Sequence, residues 1–234
     1  MTKHRVLTTK RLTDELYKNA DAAFELITEE LTAIFPVEDP RTRQQVLKYA
    51  EGHRRNVVFT STHSVDIVED ILHHDKKGLP QWNVFTLDGR TKTAVSRFLP
   101  AEAIAATAAN AAELATKIIE RKLKEVVFFC GNLRRPELPR MLGDAGIIVH
   151  EVEVYETFGT PRPITQDYEA VLFFSPSAVD SFFLSNKLDP AVVCFTLGNT
   201  TAQVLSGYTK NKVVISTGTS QEEMMETVYS YFKK

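Results

Sequence analysis

This sequence has few cysteines and no marked excess of charge of either sign. Of its 234 residues two are cysteine, and the formal net charge is −2. A nucleic-acid-binding protein usually carries a basic excess, so this class of protein is disfavoured. Cys130 and Cys194 follow or lie within apolar, strand-like runs. We therefore expect two buried thiols in a reducing cytoplasm, with a disulfide as the alternative.

Long apolar runs and several familiar motifs are also absent. No apolar run approaches the roughly 20 residues that span a bilayer, and "MTKHRVLTTKRL" lacks the apolar core of a secretory signal, so a cytoplasmic protein without a membrane contact is expected. No G-x-G-x-x-G follows a strand, and no G-x-x-x-x-G-K-[ST] or G-x-S-x-G occurs. No metal-ligand spacing is found, and His73-His74-Asp75 is more typical of a solvated helix end.

What the sequence does contain is an alternation of short apolar runs and amphipathic segments. Runs such as "NVVFTS", "WNVFTL", "EVVFFC", "AVLFFS" and "VVCFTL" predict strands, and helical spacing follows most of them. Apolar residues from Leu12 to Leu31 recur in steps of three and four, which predicts one buried helical stripe. The alanine-rich stretch from Ile104 to Ala115 predicts a helix that extends to about Leu123. Strands alternating with helices predict an α/β fold with parallel sheets.

Two features of the sequence occur twice, about 110 residues apart. "VFTSTHSVDIV" and "LFFSPSAVDSFF" each join an apolar run to a helix through a serine turn, at Ser61 and Ser175. "NVFTLDGRTKTAV" and "VCFTLGNTTAQVL" each place Gly and threonines between a Phe-Thr-Leu strand and a helix. Repetition in the same order predicts two related α/β domains, although turns of βαβ units also resemble one another without duplication.

Polar residues follow the predicted strands at the points where helices begin. In open parallel sheets ligands bind at the carboxyl ends of the strands, where helix N-termini attract anions. If such ends in two domains face each other, they form a cleft for a multiply anionic ligand. The alternative is that these hydroxyls only cap helices. The candidate binding residues are Ser61, Thr62, Ser175, Ser177, Gly198, Thr200 and Thr201.

Four stretches together resemble the uroporphyrinogen-III synthase family of tetrapyrrole biosynthesis. They are "VVFTSTHSV", "FFCGNLRRPELPRMLGDAGIIVHEVEVYET", "AVLFFSPSAVDSFF" and "FTLGNTTAQVL", and the resemblance covers residues 54–234. It implies two flavodoxin-like α/β domains with helix-flanked parallel sheets, joined by a two-stranded linker. The implied domains are residues 1–36 with 160–234, in which the N-terminal strand and helix complete the C-terminal half, and residues 40–153, with hinges near 35–40 and 152–163.

The resemblance also implies a reaction, which is the cyclisation of hydroxymethylbilane with inversion of ring D through a spiro intermediate. The implied enzyme is a hydro-lyase that needs no cofactor and no metal. It is expected to be a monomer, with a transient contact to the preceding pathway enzyme. Hydroxyls and helix N-termini would hold the substrate's eight carboxylates.

Tyr155, in "VYET", maps to the family motif as a proton donor to the departing hydroxyl, and an interdomain packing tyrosine is the alternative. Arg134 and Arg135 either meet carboxylates or lie in a solvated turn. Two other functions stay open from the residues alone. One is a non-catalytic tetrapyrrole-binding or sensory domain, and the other is a two-domain protein that binds small anions.

Overall fold

A computed structural model of the chain describes residues 3–20, 23–76, 78–218 and 220–233. The chain divides into two units. Unit 1 comprises Met1–Ala33 and Phe158–Lys234, and unit 2 comprises Ile34–Thr157. The chain therefore crosses from one unit to the other twice, and each crossing lies within a strand, Thr32–Pro36 or Ile148–Gly159.

Unit 1 contains a parallel sheet. Its helices and strands are β1 (His4–Thr8), α1 (Asp14–Ala20), β2 (Phe24–Thr28), β9 (Ala170–Phe173), α7 (Pro176–Phe183), β10 (Val193–Thr196), α8 (Asn199–Ser206), β11 (Val213–Ile215) and α9 (Gln221–Phe232). The strands lie in the order β11-β10-β9-β1-β2, and every adjacent pair is parallel. The carboxyl ends of these strands therefore meet at one edge of the sheet.

Unit 2 is built in the same way around a sheet of six strands. Its helices and strands are β3 (Thr32–Pro36, which begins in unit 1), α2 (Pro40–Ala50), β4 (Arg55–Phe59), α3 (Thr62–His74), β5 (Trp82–Leu87), α4 (Arg90–Phe98), β6 (Ile104–Ala108), α5 (Ala111–Glu120), β7 (Glu125–Gly131), α6 (Glu137–Asp144) and β8 (Ile148–Gly159, which ends in unit 1). The order is β3-β8-β7-β4-β5-β6. The pairs from β8 to β6 are parallel.

Both sheets are covered by helices on both faces, which explains the unbroken apolar runs of the strands. In β4, Val57 packs on α3 and α4, whereas its neighbour Val58 packs on α5 and α6. In β1, Val6 packs with α9, whereas Leu7 packs with α7. Consecutive strand residues thus enter opposite cores, because side chains alternate across a strand. The prediction of an α/β fold with two helix-flanked parallel sheets is confirmed.

The prediction of one helix from Leu12 to Leu31 is wrong. Helix α1 ends at Ala20, and Phe24–Thr28 forms strand β2, which pairs with β1. Strand β2 is the last strand in its sheet and buries Phe24 and Ile27, which are three residues apart. This irregular burial produces the helix-like spacing in the sequence.

The prediction of a continuous helix from Ile104 is also wrong. Ile104–Ala108 is strand β6, and helix α5 begins only after Asn110, whose side chain accepts a hydrogen bond from the Glu113 amide at 2.9 Å. Pairing with β5 and the cap at Asn110 override the high helix propensity of the alanines.

Both cysteines are buried free thiols, which confirms the prediction for Cys130 and Cys194. The His73-His74 pair ends helix α3, as predicted. Among the described residues no helix is long and apolar enough to span a bilayer.

Candidate functional site

The candidate site of unit 2 lies where strand β4 ends and where β8 passes the end of β7. Ser61 follows β4 and occupies the N-cap position of α3, but its side chain does not cap the helix. Its side chain instead lies beside the phenol of Tyr155, a half-buried residue of β8, and lowers the pKa of that phenol. The structure thus brings together the side chains of two predicted site residues that lie 94 positions apart in the sequence.

The ring of Tyr155 lies directly against the backbone of Gly131, the last residue of β7. A Cβ atom on Gly131 would be 2.3 Å from Tyr155 Cε2 and 2.4 Å from Cζ. Carbon atoms in favourable contact are about 3.5–4.0 Å apart, so no other residue type fits this position with the ring in place. Glycine at position 131 therefore creates the space that the phenol occupies.

A bulge between β7 and β8 makes this approach possible. Cys130 pairs with Glu153, but the next residue, Gly131, pairs with Tyr155, so that Val154 is an extra residue on β8. Val154 is fully buried in the core of unit 2. Bulges redirect the side chains beside them, and this one sets Tyr155 opposite Gly131.

Asn132 extends the pairing of β7 with β8 beyond the last residue of the strand. Its backbone amide donates to the Tyr155 carbonyl at 3.2 Å, and its side-chain oxygen accepts from the Thr157 amide at 2.9 Å. The ring of His63, in the first turn of α3, lies edge-on to the Tyr155 ring with centroids 5.8 Å apart. The backbone on the C-terminal side of Tyr155 is therefore held by two hydrogen bonds to Asn132.

Burial raises the pKa of the Tyr155 phenol above its ordinary value of 10.0, since a phenolate is poorly solvated there. The hydrogen bond from Ser61 acts in the opposite direction and lowers the pKa, and the neighbouring Cys130 raises it. The phenol consequently stays protonated throughout the neutral pH range. It can donate a proton, and Ser61 can stabilise the phenolate that would result.

Arg134 and Arg135 follow β7, where the sequence left open whether they meet carboxylates. Arg134 pairs with Glu151 and lies 4.0 Å from Glu153, both on β8. The hydrogen bond to Glu151 raises the pKa of the Arg134 guanidinium. Arg134 thus meets carboxylates of this chain, and Arg135 is exposed.

The corresponding turn of unit 1 follows strand β9. Ser175 is the N-cap of α7, and its hydroxyl accepts a hydrogen bond from the Ala178 amide at 3.2 Å. The same hydroxyl lies 3.1 Å from that of Ser177. The two predicted residues are brought together, but Ser175 caps the helix, which is the alternative that the sequence left open.

The second turn of unit 1 follows β10 and starts helix α8. Gly198 is the N-cap, with φ at +148° and no side chain to cap the helix. Thr200 is exposed at the helix start, whereas Thr201 is buried with 5% of its surface exposed. Thr62 is half-buried at the start of α3. The first amides of α3 and α8 are therefore not capped by the N-cap side chain, which leaves these helix ends suited to an anion.

Sequence reasoning missed Gly131 and Asn132. The "GN" pair directly after an apolar strand was the available signal, because glycine at a strand end often marks a close approach of another group. Which group approaches depends on a contact across 24 positions and could not be read locally. Among the described residues no cluster of His, Cys, Asp or Glu could hold a metal ion.

Fold and site together define a two-unit α/β protein in which a half-buried, protonated tyrosine lies beside a hydroxyl-bearing turn at a strand end. Residues 21–226 match the family model described as "Uroporphyrinogen-III synthase HemD". The chain belongs to the uroporphyrinogen-III synthase family of haem and tetrapyrrole biosynthesis, and the resemblance seen in the sequence is confirmed.

Solved structures with the same fold are those of uroporphyrinogen III synthases. A mutant of the enzyme from the extremely thermophilic bacterium Thermus thermophilus is 16% identical, with 98% of each chain covered and a TM-score of 0.66. The enzyme from Helicobacter pylori is 17% identical, with 97% of this chain and 99% of that chain covered and a TM-score of 0.62. At these identities the likeness establishes the fold.

Proposed function

We propose that this chain is a cyclising hydro-lyase that converts hydroxymethylbilane into uroporphyrinogen III with inversion of ring D. The observation that carries the chemistry is the half-buried phenol of Tyr155, which is protonated at neutral pH and lies beside the Ser61 side chain. Membership of the family supports a tetrapyrrole substrate. A proton donor is what departure of the substrate's hydroxyl group requires.

In the first step Tyr155 donates its proton to the hydroxyl of the substrate. The C–O bond breaks, water leaves, and an electrophilic azafulvene that is still protonated on its nitrogen remains. Ser61 stabilises the phenolate by donating a hydrogen bond to its oxygen. The negative charge thereby stays on the Tyr155 oxygen, beside the hydroxyl of Ser61.

In the second step the substituted carbon of ring D attacks the azafulvene and forms the spiro intermediate. The bond between the spiro carbon and the original ring-D methylene bridge then breaks, the macrocycle recloses through the other α-carbon of ring D, and the proton lost in restoring the aromatic pyrrole returns to the Tyr155 phenolate. These steps need a correctly folded substrate more than further chemistry, because the unassisted substrate closes to the uninverted isomer. The main contribution of the protein is therefore positioning.

We further propose that the carboxylates of the substrate bind the turns at the strand ends. The amides at the starts of α3 and α8 support this role, because neither N-cap side chain occupies them. The binding set is Ser61, Thr62, Ser177, Gly198, Thr200 and Thr201, with Ser175 contributing chiefly as the cap of α7. We propose that the enzyme works as a cytoplasmic monomer that receives substrate through a transient contact with the preceding enzyme.

The experiment that tests this function separates product isomers. Hydroxymethylbilane is generated in situ, the purified chain is added, and the oxidised products are separated into type I and type III uroporphyrins. Type III product above the enzyme-free background supports the synthase. Type I product alone, together with porphyrinogen binding, would favour a non-catalytic tetrapyrrole-binding domain.

Replacing Tyr155 by Phe tests the acid role. The variant keeps the ring and its packing but loses the proton, so we expect turnover to type III product to fall on the order of 10²-fold while the protein stays folded. Tyr168→Phe is the matched control, since Tyr168 in unit 1 is also half-buried and burial raises its pKa to about 12. Wild-type turnover in Tyr155→Phe would remove the acid role from Tyr155.

A further inference from the structure

The geometry points to Gly131 as a positioning residue, which sets the place of the Tyr155 phenol by having no side chain. This inference rests on the proposed role of Tyr155 as the proton donor. A Cβ atom on Gly131 would overlap Tyr155 Cε2, Cζ and Cδ2 at 2.3, 2.4 and 2.9 Å. Any side chain at position 131 must therefore displace the ring or the strand that carries it.

The ring cannot move away without losing contacts. Its hydroxyl end lies beside the Ser61 side chain, its ring forms a T-shaped contact with the ring of His63, and its apolar part packs against the core of unit 2. The backbone at Tyr155 is held by the amide of Asn132. A methyl group at position 131 would therefore push the phenol out of reach of Ser61 rather than be absorbed by a free side-chain rotation.

Displacement of the phenol should affect the reaction more than substrate binding. Misplacing a reacting group by about 1 Å can cost on the order of 10² in rate. For Gly131→Ala we therefore expect kcat to fall by about that factor, with KM within about twofold of the wild-type value, because the turns that hold the carboxylates stay intact. A general loss of folding would also lower the apparent kcat at unchanged KM, but it would leave the pH profile of the remaining active protein unchanged, so the pH profile distinguishes the two cases.

The direct measurement follows the phenol itself, without substrate. The protein is labelled with tyrosine carrying ¹³C at Cζ, the Tyr155 resonance is assigned by its loss in Tyr155→Phe, and the pKa is obtained by titration. In Gly131→Ala we expect the resonance to shift and the pKa to move toward the ordinary value of tyrosine, since the ring enters solvent. An unchanged resonance and pKa would overturn the proposal.

Gly143→Ala is the matched control. Gly143 lies in helix α6 of the same unit, and a Cβ atom there would meet nothing within 4 Å. We expect this variant to keep the Tyr155 resonance and the wild-type activity. A shift of the resonance equal to that in Gly131→Ala would show that the effect is not specific to position 131 and would overturn the proposal.

If Gly131→Ala folds poorly, a double-mutant cycle between positions 131 and 155 still tests the proposal. In a Tyr155→Ala background the ring is absent, so adding Gly131→Ala should lower the unfolding midpoint far less than it does in the wild type. An equal loss in both backgrounds would mean that Gly131 serves the backbone and not the ring, which would overturn the inference.

Activity measurements on Gly131→Ala and Tyr155→Phe distinguish a failure of this inference from a failure of the proposed function. A displaced phenol with reduced kcat supports both. A displaced phenol with wild-type kcat, where Tyr155→Phe is impaired, overturns the positioning role. Wild-type turnover in Tyr155→Phe removes the acid role, and a shifted resonance in Gly131→Ala would in that case still support Gly131 as the residue that sets the ring.

Discussion

The five strands of unit 1, followed along the chain from β9, have the same order in their sheet as five of the six strands of unit 2. Unit 2 places its successive strands β4 to β8 in the order β6-β5-β4-β7-β8. Unit 1, taken as β9, β10, β11, β1 and β2, has the order β11-β10-β9-β1-β2. The two sheets are thus related by a circular shift of the chain, and β4 corresponds to β9 and β7 to β1.

The helices follow the same correspondence. Helices α3 and α4 cover one face of the sheet of unit 2, as α7 and α8 do in unit 1. Helices α5 and α6 cover the opposite face, as α9 and α1 do in unit 1. Agreement of strand order, helix faces and the repeated sequence turns favours duplication over chance likeness of βαβ units.

Equivalent serines nevertheless have different roles. Ser175 caps its helix, whereas Ser61 leaves its helix uncapped and contacts Tyr155. The equivalent strand pairs β1–β2 and β7–β8 differ too. Strands β1 and β2 pair in regular register, whereas the pairing of β7 with β8 contains the bulge at Gly131. The comparison teaches that two sheets of the same strand order differ at one strand end, where a bulge, a glycine and the Ser61 side chain place Tyr155 in unit 2.

The largest expected effect tests whether the two units have separate and equivalent hydrophobic cores. Phe59 ends β4 and Phe173 ends β9, and both are fully buried. Replacing either by Ala should lower the free energy of unfolding by about 3–5 kcal/mol, because a large cavity remains. Hydrogen exchange followed by mass spectrometry should show lost protection in the mutated unit. Equal loss of protection in both units from either substitution would contradict two separate cores.

The next effect concerns one thiol in each unit. Burial raises the pKa of Cys130 and of Cys194 to about 12, from an ordinary value of 9.0. The unfolded chain therefore releases these protons first, and stability falls as pH rises from about 9 toward 12, by at most about 1.4 kcal/mol per pH unit for each thiol. Urea unfolding at pH 8 to 11 measures the slope.

Cys130→Ala and Cys194→Ala test whether the two thiols behave alike. In each variant the free energy of unfolding should fall less steeply with pH above about pH 9, because one of the two thiols no longer contributes. This holds whatever the stability of the variant at neutral pH. A slope identical to that of the wild type in both variants would assign the alkaline loss to other groups, such as lysines.

The smallest effect tests the divergence of the two serines. Ser175→Ala should cost about 1 kcal/mol of stability through the lost cap, whereas Ser61→Ala should change stability within about 0.5 kcal/mol. Ser61→Ala should also raise the pKa of Tyr155 further, because the hydrogen bond that lowers it is gone. Urea unfolding and ¹³C titration of tyrosine measure the two effects. Equal stability losses without a pKa change would mean that the serines do the same work.

Central strands and the turns after them could be predicted from the sequence, because strands buried on both faces are apolar throughout. Both errors fell on the last strands of their sheets, β2 and β6. Such strands pair on one side only, so their sequences carry less of the strand pattern, and alanine or a three-residue spacing then suggests a helix.

The candidate site was only partly predictable for a different reason. Tyr155 and Ser61 could be named from the sequence, since a resemblance and a strand-end position marked them. Their hydrogen bond, and the contact of Gly131 with the ring, depend on pairing between β4, β7 and β8. Long-range pairing of this kind leaves no trace in local periodicity.

The position of β1 has a consequence for synthesis on the ribosome. Val6 pairs with Ala170, and all of unit 2 is encoded between them. At about 5–20 residues per second, the ribosome needs roughly 8–33 s to make that intervening stretch. Unit 2 can fold during this time, while Val6 and Leu7 have not yet paired with β9. The β1 segment therefore stays without its β9 partner until most of the chain has been made.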